Sequence, residues 1–263
     1  MGTPGRRNAI IAGAGGRGVS RRGNAVFGWL LAVAGIALFT RLGFWQLERM
    51  HAKQAMLDAV ASVLDQRQPR SLAVAADPQR SRDYDWSAGE GRFADVPPII
   101  LDNQGRDERP GVRAYRVFQP AAGTPLLVEL GWLPLPGDRT LPAIPLPQAM
   151  TRVSGLLSPP PSPGLAKAPA VAQPDGTLLA VALRPDALAG QLRLPALAPR
   201  VLKLDPAQAL PADGPAYARD LEILPNTLPP DRHLGYAVQW FGLAIAVLAT
   251  ALVVTFRKSS RRP

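Results

Sequence analysis

The sequence predicts a membrane α+β protein: N- and C-terminal transmembrane helices flanking one antiparallel β-rich extracytoplasmic domain. Three observations predict it. Residues 234–256 form a run of 23 without Asp, Glu, Lys, Arg or His. As a helix that run spans roughly 35 Å, enough to cross a bilayer core. A second apolar run covers 25–40, and Leu42, Gly43, Phe44 and Trp45 extend it past Arg41. Third, the stretch from Tyr84 onward is built of short apolar runs broken by Gly and Pro, the texture of an antiparallel sheet or small barrel.

Charge sets the orientation. Arg6, Arg7, Arg17, Arg21 and Arg22 precede the first run, and Arg257, Lys258, Arg261 and Arg262 follow the second. All 20 acids lie in 46–233, with an equal number of bases. The formal charge of +10 therefore belongs to the ends of the chain and Arg41. A pI near 10.9 would suggest nucleic acid, but basic residues flanking apolar spans are the positive-inside signature. The expectation is a multi-pass protein of a bacterial inner (cell) membrane, with both termini cytoplasmic, a periplasmic middle and no nucleic-acid partner.

The elements follow in order. Residues 1–23, rich in Gly and Arg, read as a disordered basic cytoplasmic tail. Residues 24–46 read as the first transmembrane helix, retained because 38–50 offers no small-x-small cleavage site. Residues 47–232 form the β-rich domain. It opens with a helical extension over 48–66, where Met50, Met56, Leu57, Val60, Val63 and Leu64 keep near-helical spacing. Candidate strands are DWSAGEGRF with a bulge at its glycines, PIILDNQ, VRAYRVFQP, TPLLVELGWLP, TRVSGLLS, TLLAVALR, RVLKLD and RDLEILP. Residues 155–174 are a Pro-rich loop. Residues 233–256 are the second transmembrane helix and 257–263 a basic cytoplasmic tail. The middle is long enough for one core.

Several chemistries are excluded. With no cysteine there are no disulfides, thiolate metal sites or Cys nucleophiles. Met1, Met50, Met56 and Met150 are too scattered for a copper-binding tract. No P-loop, GxGxxG after a strand or HExxH occurs, and no carboxylate stands out by spacing as a general base. The chain does not read as an enzyme.

The candidate site residues cluster where the two spans meet the outer membrane surface. His51 and His233 are the only histidines. Two imidazoles at one surface can bracket a haem, or can be interfacial residues like any His. Trp45, Tyr236 and Trp240 form an aromatic belt or a stacking wall for a flat cofactor. Gln46 and Gln239 are amides at a depth where polar groups seek partners, and can pair across the helices. Arg41, Arg49 and Lys53 reach lipid phosphate or a carboxylate of a bound ligand.

The motif LGFWQLERMHAK (42–53) resembles the first-helix signature of the surfeit-locus (Shy) family of cytochrome c oxidase assembly proteins, through Leu42, Gly43, Trp45, Gln46, Arg49 and Lys53. The succession GRF, IILDNQ and GVRAYRVFQP is similar to the family's next motifs, at Gly91, Phe93, Asp102, Asn103, Gly111, Tyr115, Val117 and Pro120. LLVELGWLP and RHLGYAVQWFGLA match the two that follow. Leu130 stands where the family has Arg, Gln104 replaces another Arg, and 135–228 matches weakly.

The resemblance implies an assembly factor, without catalysis, for the haem-copper oxidase of a respiratory chain. It implies a chaperone assisting haem A delivery to, or insertion into, the catalytic subunit, with a haem A synthesis enzyme and membrane lipid as further partners. His233 falls on the family's candidate haem ligand and is the expected metal-binding residue. Trp45, Gln46, Arg49, Tyr236, Gln239 and Trp240 complete the expected cofactor site. The alternative is a membrane scaffold that binds an oxidase subunit without haem. A sensor and an unrecognised hydrolase fit less well.

Overall fold

The computed structural model describes residues 21–162, 168–211, 214–224 and 228–259. The disordered-tail expectation for 1–20, the middle of the Pro-rich loop and residues 260–263 fall outside them. The chain divides into two units, the first ending at Arg49 and resuming at Asp231, the second covering Met50–Pro230.

The first unit is a helix pair. Helix α1 is Arg21–Gln66, of which the part up to Arg49 belongs here, and α3 is Pro230–Ser259. Both are long and apolar enough to cross a membrane. Nearly all of each apolar window is exposed, with Leu30, Leu31, Val238 and Ile245 facing outward. Helices buried in a soluble core would hide these residues; their exposure on two apolar helices suggests membrane anchoring.

The two helices run antiparallel along one seam. Trp29 Nε1 donates to Thr255 Oγ1 at 3.2 Å, Gly35 faces Val247, and Phe39 stacks on Trp240 with centroids 5.7 Å apart. Phe44 meets Phe241 edge-on at 5.4 Å. Gly43 is needed here: a Cβ on it would lie 2.6 Å from the Phe241 ring. Without a hydrophobic drive between helices in lipid, such close approach of small residues supplies the packing.

The second unit is a mixed sheet, not the purely antiparallel one its sequence suggests. Its strands are β1 (Arg70–Ser71), β2 (Asp85–Phe93), β3 (Ile99–Leu101), β4 (Gly111–Pro120), β5 (Leu126–Pro134), β6 (Arg152–Ser158), β7 (Val171–Ala172), β8 (Leu178–Ala180) and β9 (Val201–Leu204). Their order is β1-β2-β6-β9-β5-β4-β3-β8-β7, and β2 also pairs with β4. That last pairing closes β2, β6, β9, β5 and β4 into a barrel. The pairs β1–β2, β3–β8 and β5–β9 are parallel. Parallel neighbours need long crossovers, which the chain supplies between β5 and β9 and between β3 and β8.

Barrel closure turns on Gly91. Residues 85–90 of β2 pair with β6, and from Gly91 the strand pairs with β4. A Cβ on Gly91 would lie 2.2 Å from the Gln119 carbonyl oxygen, so only glycine lets the two backbones meet. Inside the ring, Val112, Phe118, Val128, Leu157 and Leu202 form one core. Alternate residues pack a second core on the outer face, where Tyr115, Val117, Leu127 and Val201 meet Ile99 and the short helix α2 (Pro185–Gln191).

The sequence differs from the structure at three further places. TLLAVALR yields only β8, because Pro185 opens α2. RDLEILP is not a strand in its described residues; Ala218 makes a bridge to Trp132 and Asp220 an ion pair instead. The Pro-rich loop is shorter than 155–174, since Gly155 to Ser158 complete β6.

Candidate functional site

The residues the sequence singles out come together at one end of the helix pair. His233 begins the seam face of α3, followed at i+4, i+7 and i+11 by Ala237, Trp240 and Ala244. Gln46, Gly43 and Phe39 hold the facing positions on α1, at −3 and −7. His233 is buried, 8% exposed, although it lies in the first turn of its helix. Its Nδ1 is 2.7 Å from Oε1 of Gln46. In the neutral tautomer that pairs with Oε1, Nδ1 is the donor. The lone pair is then on Nε2, the form in which neutral imidazole ligates a metal.

Gln46 thus meets His233 rather than Gln239, which is exposed on α3. Trp240 is half-buried against Phe39. Trp45 and Tyr236 are 46% and 42% exposed, free to line a bound ligand or lipid. The Arg49 guanidinium lies 5.7 Å from the Trp45 ring centroid, an exposed cation over an aromatic face. Arg41 lines a shallow groove along α1 with Trp45 and Glu48. His51 and Lys53 belong to the second unit. Among the described residues no group of three or more His, Cys, Asp and Glu could hold a metal ion. His233 is the residue at this end of the pair whose side chain could ligate a haem iron.

Sequence reasoning named Gly43 in a motif but not its packing role, and missed Phe39 and Phe241. Their signal was present: Phe39 lies seven residues before Gln46 and Phe241 eight after His233.

It also missed a buried charge cluster on the outer face of the barrel. Tyr115, Glu129 and Lys203 stand opposite one another on β4, β5 and β9. Glu129, 3% exposed, accepts from Tyr115 Oη at 2.8 Å, from Lys203 Nζ at 3.0 Å and from Arg113. Burial alone would raise the Glu129 pKa; Lys203 and Arg113 outweigh it and hold the carboxyl below its ordinary value. Arg113 is raised in return, its own burial overcome by Glu129 and Asp220. Asp220 joins the cluster, 2.6 Å from Arg106 and 3.5 Å from Arg113. With the bridge between Trp132 and Ala218, it straps segment 217–220 to the barrel. Apart from Arg113 Nε, which is buried without a hydrogen-bond partner among the described residues, the charged groups here pair with one another, which makes the cluster a clamp.

A second buried carboxylate, Asp85, takes Arg200 at 2.7 Å, Arg80 at 2.7 Å and Arg70 at 3.0 Å. Burial raises its pKa, and the bonds from Arg200 and Arg80 lower it further than burial raises it.

The model of the SURF1 family matches residues 33–245, most of the chain and including both Gln46 and His233. No curated protein matches the chain. The family is associated with cytochrome c oxidase assembly and is one of assembly factors rather than catalysts. The match takes in the seam from Gly35 to His233 at its barrel end and the whole barrel in one continuous stretch, and the chain belongs to the SURF1 family.

Proposed function

We propose that this protein is a haem A chaperone for the haem-copper cytochrome c oxidase. It would sit in a bacterial inner membrane with both termini cytoplasmic and the barrel domain outside, and hand its cargo to the catalytic subunit. The observation that carries the reading is the buried His233 imidazole, its Nδ1 2.7 Å from Oε1 of Gln46 across the helix seam. Haem iron supplies its own four porphyrin nitrogens, so one protein imidazole suffices to hold it. Arg49, exposed beside Trp45, would offer a propionate a cation, and Trp45, Tyr236 and Trp240 would offer flat apolar surface. One ligand from the protein gives a bond that can be exchanged, as delivery requires. The barrel domain is the part free to dock on the oxidase subunit or on a haem A synthesis enzyme.

The test is an absorption spectrum of the detergent-solubilised protein, purified from a host that makes haem A, beside His233→Ala. Haem A in the wild type and its loss in the variant are the expected results. Haem in neither would leave the other reading, a membrane scaffold that binds an oxidase subunit and no cofactor.

A further inference from the structure

Below the His233–Gln46 pair, the helix seam opens into a groove of about 970 Å³. It runs from Phe39 to Asn24 on α1 and from Leu243 to Thr255 on α3. Fifteen residues of helix make it about 22 Å long. Its floor is made of small residues, among them Gly28, Ala32 and Gly35 on α1 and Ala246 on α3. Its polar side chains are turned inward: Thr250 and Thr255 donate to the carbonyls of Ala246 and Ala251, and Trp29 donates to Thr255. Asn24 at the far end is the one lining side chain outside this pattern; between Ala25 and Phe39 the walls offer an occupant apolar surface.

The groove lies on the same side of the helix pair as the aromatics above it. Leu38, Trp45 and Arg49 follow one another at i+7 and i+4 on α1, and Tyr236, Leu243 and Thr250 at i+7 on α3. Helical spacing thus puts the groove wall and the ligand-side aromatics on one side of the pair. Leu38 and Leu243 are exposed there, as are Trp45 and Tyr236. The Phe39–Trp240 stack closes the upper end of the groove, and Trp240 lies seven residues, about two turns, from His233. Read from the membrane surface inward, the helix pair presents a cation, a flat aromatic zone with an imidazole, and a long apolar channel.

We propose that the groove holds the isoprenoid tail of the haem and makes this protein selective for a tailed haem over a tailless one. The inference rests on the haem reading above and adds its specificity. An anionic head, a planar middle and an apolar tail match the three zones in order. A phospholipid has no planar, iron-bearing part to place at His233, and a partner helix would leave the imidazole without a role.

The experiment compares haem O with haem B, which differ in the isoprenoid substituent. Each is titrated by absorption into the full chain in nanodiscs, for wild type, His233→Ala and the groove-filling pair Gly28→Leu with Ala246→Phe. A Cβ on Gly28 meets nothing within 4 Å and Ala246 is exposed, so the pair fills space without breaking the seam. The expected result is haem O binding at least tenfold tighter than haem B in the wild type, and a filled groove that removes the preference and leaves haem B unchanged. Equal affinity for the two haems, both lost in His233→Ala, would overturn the tail assignment and leave the chaperone reading standing. So would a filled groove that weakens both haems alike. Binding of neither haem would remove the chaperone reading and this inference together.

Discussion

The imidazole Nδ1 of His233 and the amide Oε1 of Gln46 stand 2.7 Å apart, though 187 positions separate them in the chain. A hydrogen bond between membrane helices averages about 0.6 kcal/mol, so this one contributes little to holding the pair together. Its consequence lies in the ring it orients. Loss of a partner behind a metal-binding His costs about 10–100-fold in metal affinity. Gln46→Leu is therefore expected to weaken haem binding by about that factor with little change in thermal stability. Gln46→Glu, which keeps an acceptor, is expected to restore binding. Wild-type haem affinity in Gln46→Leu would show that the amide has no such role.

Gly43 sets the closest approach of the helices. A side chain there would enter the Phe241 ring, and Gly43→Leu is expected to cost about 1–3 kcal/mol as overpacking. Because the chain has no cysteine, the seam can be read by cross-linking. Gly35→Cys with Val247→Cys should form a disulfide in an otherwise wild-type chain and fail to do so with Gly43→Leu added. A cross-link of unchanged yield would refute the packing argument.

Glu129 is the anchor of the outer-face cluster. Glu129→Gln leaves Arg113 and Lys203 buried beside a neutral amide, and removing one partner of a buried ion pair costs about 3–5 kcal/mol. The same change combined with Lys203→Met should cost less than the single change, since one stranded charge goes with it. Urea unfolding of the barrel domain in the full chain, followed by tryptophan fluorescence, measures both. A double variant less stable than Glu129→Gln would contradict the charge argument.

The buried carboxylates also fix the response to pH. Glu129 and Asp85 have folded pKa values below their ordinary 4.5 and 3.8. The unfolded chain binds protons first, so their stabilisation is fully present above about pH 4.5 and is lost as pH falls through the lowered values. On the alkaline side, burial pushes the Tyr217 hydroxyl from 10 up to about 12, partly opposed by Arg116. That contribution is whole below pH 10 and declines as pH rises toward about 12. The melting temperature should hold a plateau between these limits, with an acid slope that Glu129→Gln reduces. An acid slope unchanged in that variant would assign it to other groups.

Much of this architecture was legible without coordinates, because it rests on local pattern. A run of 23 uncharged residues can only be a spanning or buried helix, and the segregation of acids to 46–233 separates the two ends from the middle. The strand positions of GVRAYRVFQP and LLVELGWLP follow from their Gly and Pro borders. The segment 219–224 misled for the same reason: apolar alternation was present, but these residues form no strand, and Asp220 pairs with Arg106 instead.

What only the tertiary structure decided is who meets whom. Period and propensity place Glu129, Lys203 and Asp220 on their elements, but nothing local says that β9 lies parallel to β5 and brings Lys203 against Glu129. Barrel closure depends on Gly91 meeting the backbone of Gln119, a contact between two strands that their own sequences do not announce. In the same way, the sequence by itself determined that Gln46 and His233 sit at the ends of two apolar spans. That they face each other depends on the seam between the spans, where Gly43 leaves room for Phe241 and so sets the rotation of both helices.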